Sequence, residues 1–307
     1  MNRIAAVIVL VVGVATLMGG FTGVTPGLSF AGFWLTLAGL VSVGLSFIPR
    51  APVATDEARP ATAAQTITGV FTAPGQTFRQ LGAHPRWLAA YLVAVLCLGI
   101  YGLLFVHRVT PLAIETARAQ KIIDNGWISS DREEAFRNGQ AAAARAPYYS
   151  LSPVVVTGVY SFLSIVGTAA LFLFGVAMVG GRVNFWQALS VSAYAFLPPA
   201  VLRGLVGLLV LFIKAPDSID PLHDQFGIIN ENLGAFLSPA QRPVLYTAAT
   251  FLSLLWLYRV WLSATGLRNV STKPISAGAA WAVAIGVWAI GLALWAVIAI
   301  ANPSFIV

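Results

Sequence analysis

Charge is what this sequence has least of. Asp, Glu, Lys and Arg make up 9% of its 307 residues, against about 25% in soluble globular domains, so few charges are left to cover a water-facing surface. The one cysteine, Cys97 in YLVAVLCLGI, excludes an intrachain disulfide and reads as a small apolar filler. No HExxH, GxSxG, P-loop or GxGxxG pattern occurs, so nothing marks an enzyme, a metal centre or a bound cofactor. Asp220, His223 and Asp224 fall close together, but fit no strong ligand spacing and read as a solvated loop. Two-residue alternation is also missing from the apolar runs, which sets aside a membrane β-barrel.

What is present is apolar length. Hydrophobic residues make up 58% of the chain, and several runs approach the roughly 20 residues an α-helix needs to cross about 30 Å of hydrocarbon. The expected fold is all-α, a polytopic transmembrane bundle with seven spans: Ile4–Met18, Phe30–Ile48, Trp87–Phe105, Val154–Val179, Trp186–Ile213, Val244–Trp261 and Ala277–Ala299. The opening Met-Asn-Arg and apolar stretch also suit a signal peptide. The second span follows so closely that a hairpin anchor over 1–48 is the more natural reading.

Residues 49–66 (PRAPVATDEARPATAAQT) form a Pro/Ala/Thr-rich polar linker with no apolar period, which leaves 67–307 as the main membrane domain. Ile67–Leu81 reads as a helix lying on the bilayer, with Pro74 in a first turn and Val70, Phe71, Phe78 and Leu81 near one face. A polar loop spans 108–150, where Ser130 and Glu133 suit a capping box. Segment 214–242 places Phe226, Ile229, Leu233, Phe236 and Leu237 at helical spacing, predicting a second surface helix.

The net charge of +7 does not point to nucleic acid, because the basic residues are scattered beside apolar segments rather than clustered in a run. With the N-terminus inside, the inner loops hold eight basic and two acidic side chains, and the outer loops eight and nine. The short loops decide the sense: Arg182 in one, Arg268 and Lys273 in another, all inside. Arg outnumbers Lys fifteen to three and Ala is abundant, as in a GC-rich bacterial genome, so the expected location is the bacterial inner (cytoplasmic) membrane, with a cytoplasmic N-terminus and an extracytoplasmic C-terminus.

Arg203 and Arg259 are the charged residues inside expected spans. Arg259 stands among Trp256, Tyr258 and Trp261 and reads as snorkelling from an aromatic belt. Arg203 lies in a segment of about 42 Å as a straight helix, which Pro198-Pro199 is expected to interrupt. The prolines would free carbonyls at Tyr194 and Ala195. A broken helix beside a cation is one way membrane proteins build a ligand site, so Arg203, Tyr194, Pro198 and Pro199 form the candidate site for a ligand or lipid headgroup. No Asp, Glu or His lies well inside an expected span, which counts against a proton-coupled pump.

Several short motifs follow one another after the linker. They are Pro74, Thr77 and Phe78; His84-Pro85-Arg86-Trp87; the Gly180-Gly181 turn with Asn184-Phe185; Ala193-Tyr194-Ala195-Phe196-Leu197-Pro198; and LWLYRVWLSATGLRNVS. In this order they resemble the Yip (Ypt-interacting protein) family of integral membrane domains, in its bacterial branch, over roughly residues 67–300. The resemblance implies a cytoplasmic N-terminal region and five transmembrane helices. Its eukaryotic members are associated with Rab-type GTPases and vesicle traffic. The hairpin at 1–48 and the loop 108–150 depart from that pattern. The functional expectation is a non-enzymatic scaffold, membrane-organising protein or accessory subunit, with membrane lipids and other subunits or further copies of the chain as partners. The alternative is a transporter or channel centred on Pro198–Arg203.

Overall fold

A computed structural model describes residues 3–22, 28–49, 61–146, 149–226, 228–229, 231–237 and 243–301. In chain order the α-helices are α1 (Arg3–Phe21), α2 (Ser29–Leu45), α3 (Ala63–Thr72), α4 (Pro74–Ala83), α5 (Leu88–Val109) and α6 (Pro111–Asp124). They continue with α7 (Glu133–Ala144), α8 (Ser152–Met178), α9 (Phe185–Ile213), α10 (Pro243–Thr250), α11 (Leu254–Val270) and α12 (Ala277–Ala301). The described residues contain no strand. Five helical stretches are long and apolar enough to cross a membrane: Arg3–Phe21, Leu88–Val109, Tyr149–Met178, Phe185–Ile213 and Ala277–Ile298. Ala31–Leu45 is a shorter apolar helix.

The contacts divide the chain into two units. The first comprises 1–49, 95–163 and 202–229. Its α1 and α2 form an antiparallel hairpin set by glycine. A Cβ on Gly13 would strike the backbone of Leu35 and Thr36, and one on Gly39 the backbone of Leu10. Gly20 faces Ser29 and Gly32 faces Leu17 in the same constant register. Small residues seven apart on both helices thus let the two backbones touch. Elsewhere in this unit Gly204 of α9 abuts the backbone of Cys97, and Gly207 meets the ring of Tyr101. Tyr101, Phe105, Ile114, Leu211, Ile219 and Ile228 close a buried cluster above them.

The second unit comprises 50–94, 164–201 and 230–307. Every residue of α9 from Trp186 to Ala195 is buried, as a helix surrounded by others must be. Gly266 of α11 lies against Val191 and the ring of Phe78, so α4 docks on α11 with no room for a Cβ.

Several expectations are corrected. The prolines do not break α9, which is one continuous helix of 29 residues through Pro198 and Pro199. The helix that is broken is the expected span Val244–Trp261. It divides at Phe251–Ser253 into α10, 8 residues, and α11, 17 residues, because Ser253 turns extended and its hydroxyl caps the Trp256 N–H at 3.3 Å.

The predicted helix over Ile67–Leu81 is two helices. Pro74 opens the second, and Val70, Phe78 and Leu81 are buried in protein instead of facing lipid, whereas Phe71 is exposed. Residues 50–60 of the linker lie outside the described residues, but its end is already helical. There Thr62 and Gln65 make a reciprocal capping box at the start of α3. The capping box expected of Ser130 and Glu133 does not form: Ser130 is inside a 3-10 turn, and α7 starts without a side-chain cap. Segment 214–242 holds three short 3-10 turns, Pro216–Ser218, Asp224–Phe226 and Leu233–Phe236, with 238–242 outside the described residues. Asp220 draws nearby backbone N–H groups to its own side chain there, in competition with helix. The expected stripe is dispersed accordingly, with Ile229 against the buried cluster and Phe236 exposed.

Candidate functional site

Of the four candidate residues, Tyr194, Pro198 and Pro199 belong to the second unit and Arg203 to the first. Tyr194 is fully buried in the second unit, where its hydroxyl is hydrogen-bonded with the Thr66 side chain near Arg86. Arg86 in turn donates to the Ala61 carbonyl at 3.1 Å. Pro198 and Pro199 are buried in the same unit. Arg203 belongs to the other unit, where it is half-buried and already engaged by its surroundings.

The Arg259 guanidinium stacks over Phe196 at 5.2 Å and over Trp256, one of the aromatics expected around it, at 5.1 Å, and reaches Thr168 at 3.5 Å. The aromatic faces supply the attraction that water would otherwise provide. Trp256 is itself stacked on Phe251, at the break before α11. Two features of that break could not be read from local sequence. The carboxylate of Glu231 accepts a hydrogen bond from Ser253 at 3.1 Å, and Asn232 bridges to Ser253. A loop residue thus delivers a carboxylate to the middle of an apolar run. Gly291 of α12 lies against Phe251, and it stands about 21 Å along that helix from Ala277. That is roughly two-thirds of a 30 Å hydrocarbon layer.

The first unit holds a polar network on its loops. Glu115, 2% exposed, is paired with Arg118 and accepts from the Tyr149 hydroxyl at 2.5 Å. Arg108 donates to the Lys214 carbonyl at 2.8 Å, and Lys214 pairs with buried Asp224 at 2.7 Å. The Tyr101 hydroxyl donates to the Asp224 carbonyl. Asp224 also accepts the Asp220 N–H at 2.9 Å, while Asp220 accepts the N–H groups of Leu222 and His223. The trio 220, 223 and 224 therefore spends its oxygens on the loop itself. Among the described residues no group of three His, Cys, Asp or Glu side chains is placed to hold a metal ion.

At the end of the second unit where α9 begins, a cleft of about 380 Å³ is lined by Leu173, Ala177, Gly181, Arg182, Val183, Asn184, Gln187 and Thr272. Asn184 and Gln187 cap each other's backbone N–H at 2.9 Å, and Gln187 also donates to the Gly82 carbonyl at 2.8 Å. Sequence reasoning missed this pair, whose Asn-x-x-Gln spacing is that of a reciprocal cap, and no local signal marks the cleft beside it.

Five described helical stretches long and apolar enough to cross a membrane, in which Arg203 is the one Asp, Glu, Lys or Arg away from a helix end, define an all-helical, multi-span membrane protein. The Yip1 domain profile matches residues 68–298, and the chain belongs to that family. Neither a curated protein nor a solved structure matches it.

Proposed function

We propose that the chain is a non-enzymatic scaffold or accessory subunit of a membrane complex, in the inner (cytoplasmic) membrane with its N-terminus in the cytoplasm. The observation that carries this reading is the packing of the second unit: the Trp186–Ala200 stretch of α9 is filled by neighbouring side chains, and membership of the Yip1 domain family supports it. Five crossings in the Yip1 region fit the path of the chain. The Arg182–Lys273 bridge sets the start of α9 beside the start of α12. A helix of 29 residues carries the chain about 43 Å away, so α10 and α11 have to bring it back. With the α1–α2 hairpin this makes seven. Purification in a mild detergent tests the role: an accessory subunit co-elutes with defined membrane partners or with further copies of itself. Elution as a lone chain under every gentle condition counts against it.

The second reading, a transporter or channel, is favoured by one observation and is moved by it. The discontinuous crossing is α10–α11, with Glu231 on Ser253, and broken helices with polar groups at mid-depth are where transporters bind their cargo. Glu231→Gln should then reduce solute flux in proteoliposomes by tenfold or more. Unchanged flux removes this reading.

A further inference from the structure

The turn between α8 and α9 fixes its backbone, and among the described residues no side chain pairs with its one cation, Arg182. Gly180 adopts φ +76°, which only glycine takes freely. A Cβ on Gly181 would meet Ile275 at 2.5 Å and Val176 at 2.8 Å. The Arg182 carbonyl accepts from the Thr272 N–H at 2.9 Å and lies 3.1 Å from the Thr272 hydroxyl, while the Ser271 hydroxyl stands between the Lys273 carbonyl at 2.6 Å and the Arg182 carbonyl at 3.0 Å. The antiparallel bridge to Lys273 completes the platform. Both side chains, Arg182 and Lys273, project exposed from it.

Among the described residues of this unit no carboxylate is at hand to neutralise them. In the described part of this unit Glu231 is the one acidic residue. It sits on Ser253, the length of α11 away, about 25 Å. The cleft beside Arg182 has a divided chemistry. Leu173, Ala177 and Val183 form an apolar wall, and Arg182, Asn184 and Thr272 a polar end. The wall continues into the outer side of α8, where Phe174 is 66% and Met178 72% exposed, the surface that lipid chains cover in a membrane-spanning helix.

We infer that this cleft is a binding site for an anionic phospholipid. The headgroup phosphate is held by the guanidinium of Arg182 and the ammonium of Lys273, and an acyl chain lies along Leu173 and Ala177. General attraction of basic loops to an anionic bilayer is a different property, because it depends on charge count and not on the cleft.

The test uses the full chain in non-ionic detergent, titrated with phosphatidylglycerol or phosphatidylcholine of the same chains and followed by native mass spectrometry. Phosphatidylglycerol is expected to bind with discrete stoichiometry and phosphatidylcholine more weakly. Arg182→Ala and Lys273→Ala should each weaken phosphatidylglycerol about fivefold, with Arg182→Lys largely restoring it and so separating lost binding from lost folding. Ala177→Trp, which fills the apolar wall, should weaken the lipid, and inorganic phosphate at millimolar concentration should fail to displace it. Arg79, an exposed cation on α4 outside the cleft, serves as control. If Arg79→Ala weakens binding as much as Arg182→Ala, the effect is bulk surface charge and the site is overturned. Displacement by inorganic phosphate, with no effect of Ala177→Trp, overturns the lipid in favour of a free anion.

Discussion

At the scale of single residues, the loop carboxylates show how local donors decide a charge state. Burial alone would push Asp220 upward, but the backbone N–H groups of His223 and Leu222 and the His223 ring outweigh it and hold the carboxyl below its ordinary value. A carboxylate lowered in the fold supports that fold above its unfolded value, about 3.9. The support is lost as pH falls through the folded value. Protection of the Leu222 and His223 amides, relative to their intrinsic exchange, should therefore fall on acidification below about pH 4, and Asp220→Asn should remove that pH dependence. Protection that ignores both pH and the substitution would show that the carboxylate does not hold the loop. The intramembrane arginines teach a related lesson. Both were visible in the sequence as charges in apolar runs, but their partners were not. Phe196 and Thr168 lie far from Arg259 along the chain and reach it only in the folded bundle. Tyr194, expected to carry a freed carbonyl, instead meets Thr66, the last residue of the polar linker.

At the scale of elements, the α1–α2 hairpin depends on glycine where backbones touch. Gly13→Val or Gly39→Val should open it at a cost of about 1–3 kcal/mol from overpacking, while Gly44→Val, with nothing within 4 Å of an added Cβ, should not. Gel mobility of the isolated hairpin in SDS reads the difference, and equal shifts for all three would dismiss the contact. Helix positions were legible wherever an apolar run was long and uninterrupted, as in α5, α8, α9 and α12. Breaks were not. Two adjacent prolines read as an interruption, yet α9 stays helical through them because the surrounding helices hold that stretch buried on nearly every side. The actual break falls at Ser253, in a run with no proline from Val244 to Trp261. It is fixed by Asn232 and Glu231, more than 20 residues upstream. A window of local sequence contains neither partner.

At the scale of the molecule, the proposed threading makes Arg182 and the polar turn at Asp217 face opposite sides of the bilayer, since α9 separates them. Single cysteines placed at these two positions, in a chain with Cys97→Ala, should react oppositely with a membrane-impermeant maleimide in intact cells. Labelling of both from the same side would reverse the threading. What the sequence by itself determined is the solvent and the class of fold. With 9% charged residues the chain must bury its surface in lipid, and in lipid only hydrogen-bonded helices satisfy the backbone once barrels are set aside. What only the tertiary structure decided is which apolar run is discontinuous, which charges find aromatic or carbonyl partners, and that the turns at Arg182 and Lys273 join beside one cleft. Those outcomes depend on contacts between residues tens to more than a hundred positions apart. Their energies come from packing and desolvation in the assembled bundle, which no local pattern of residues encodes.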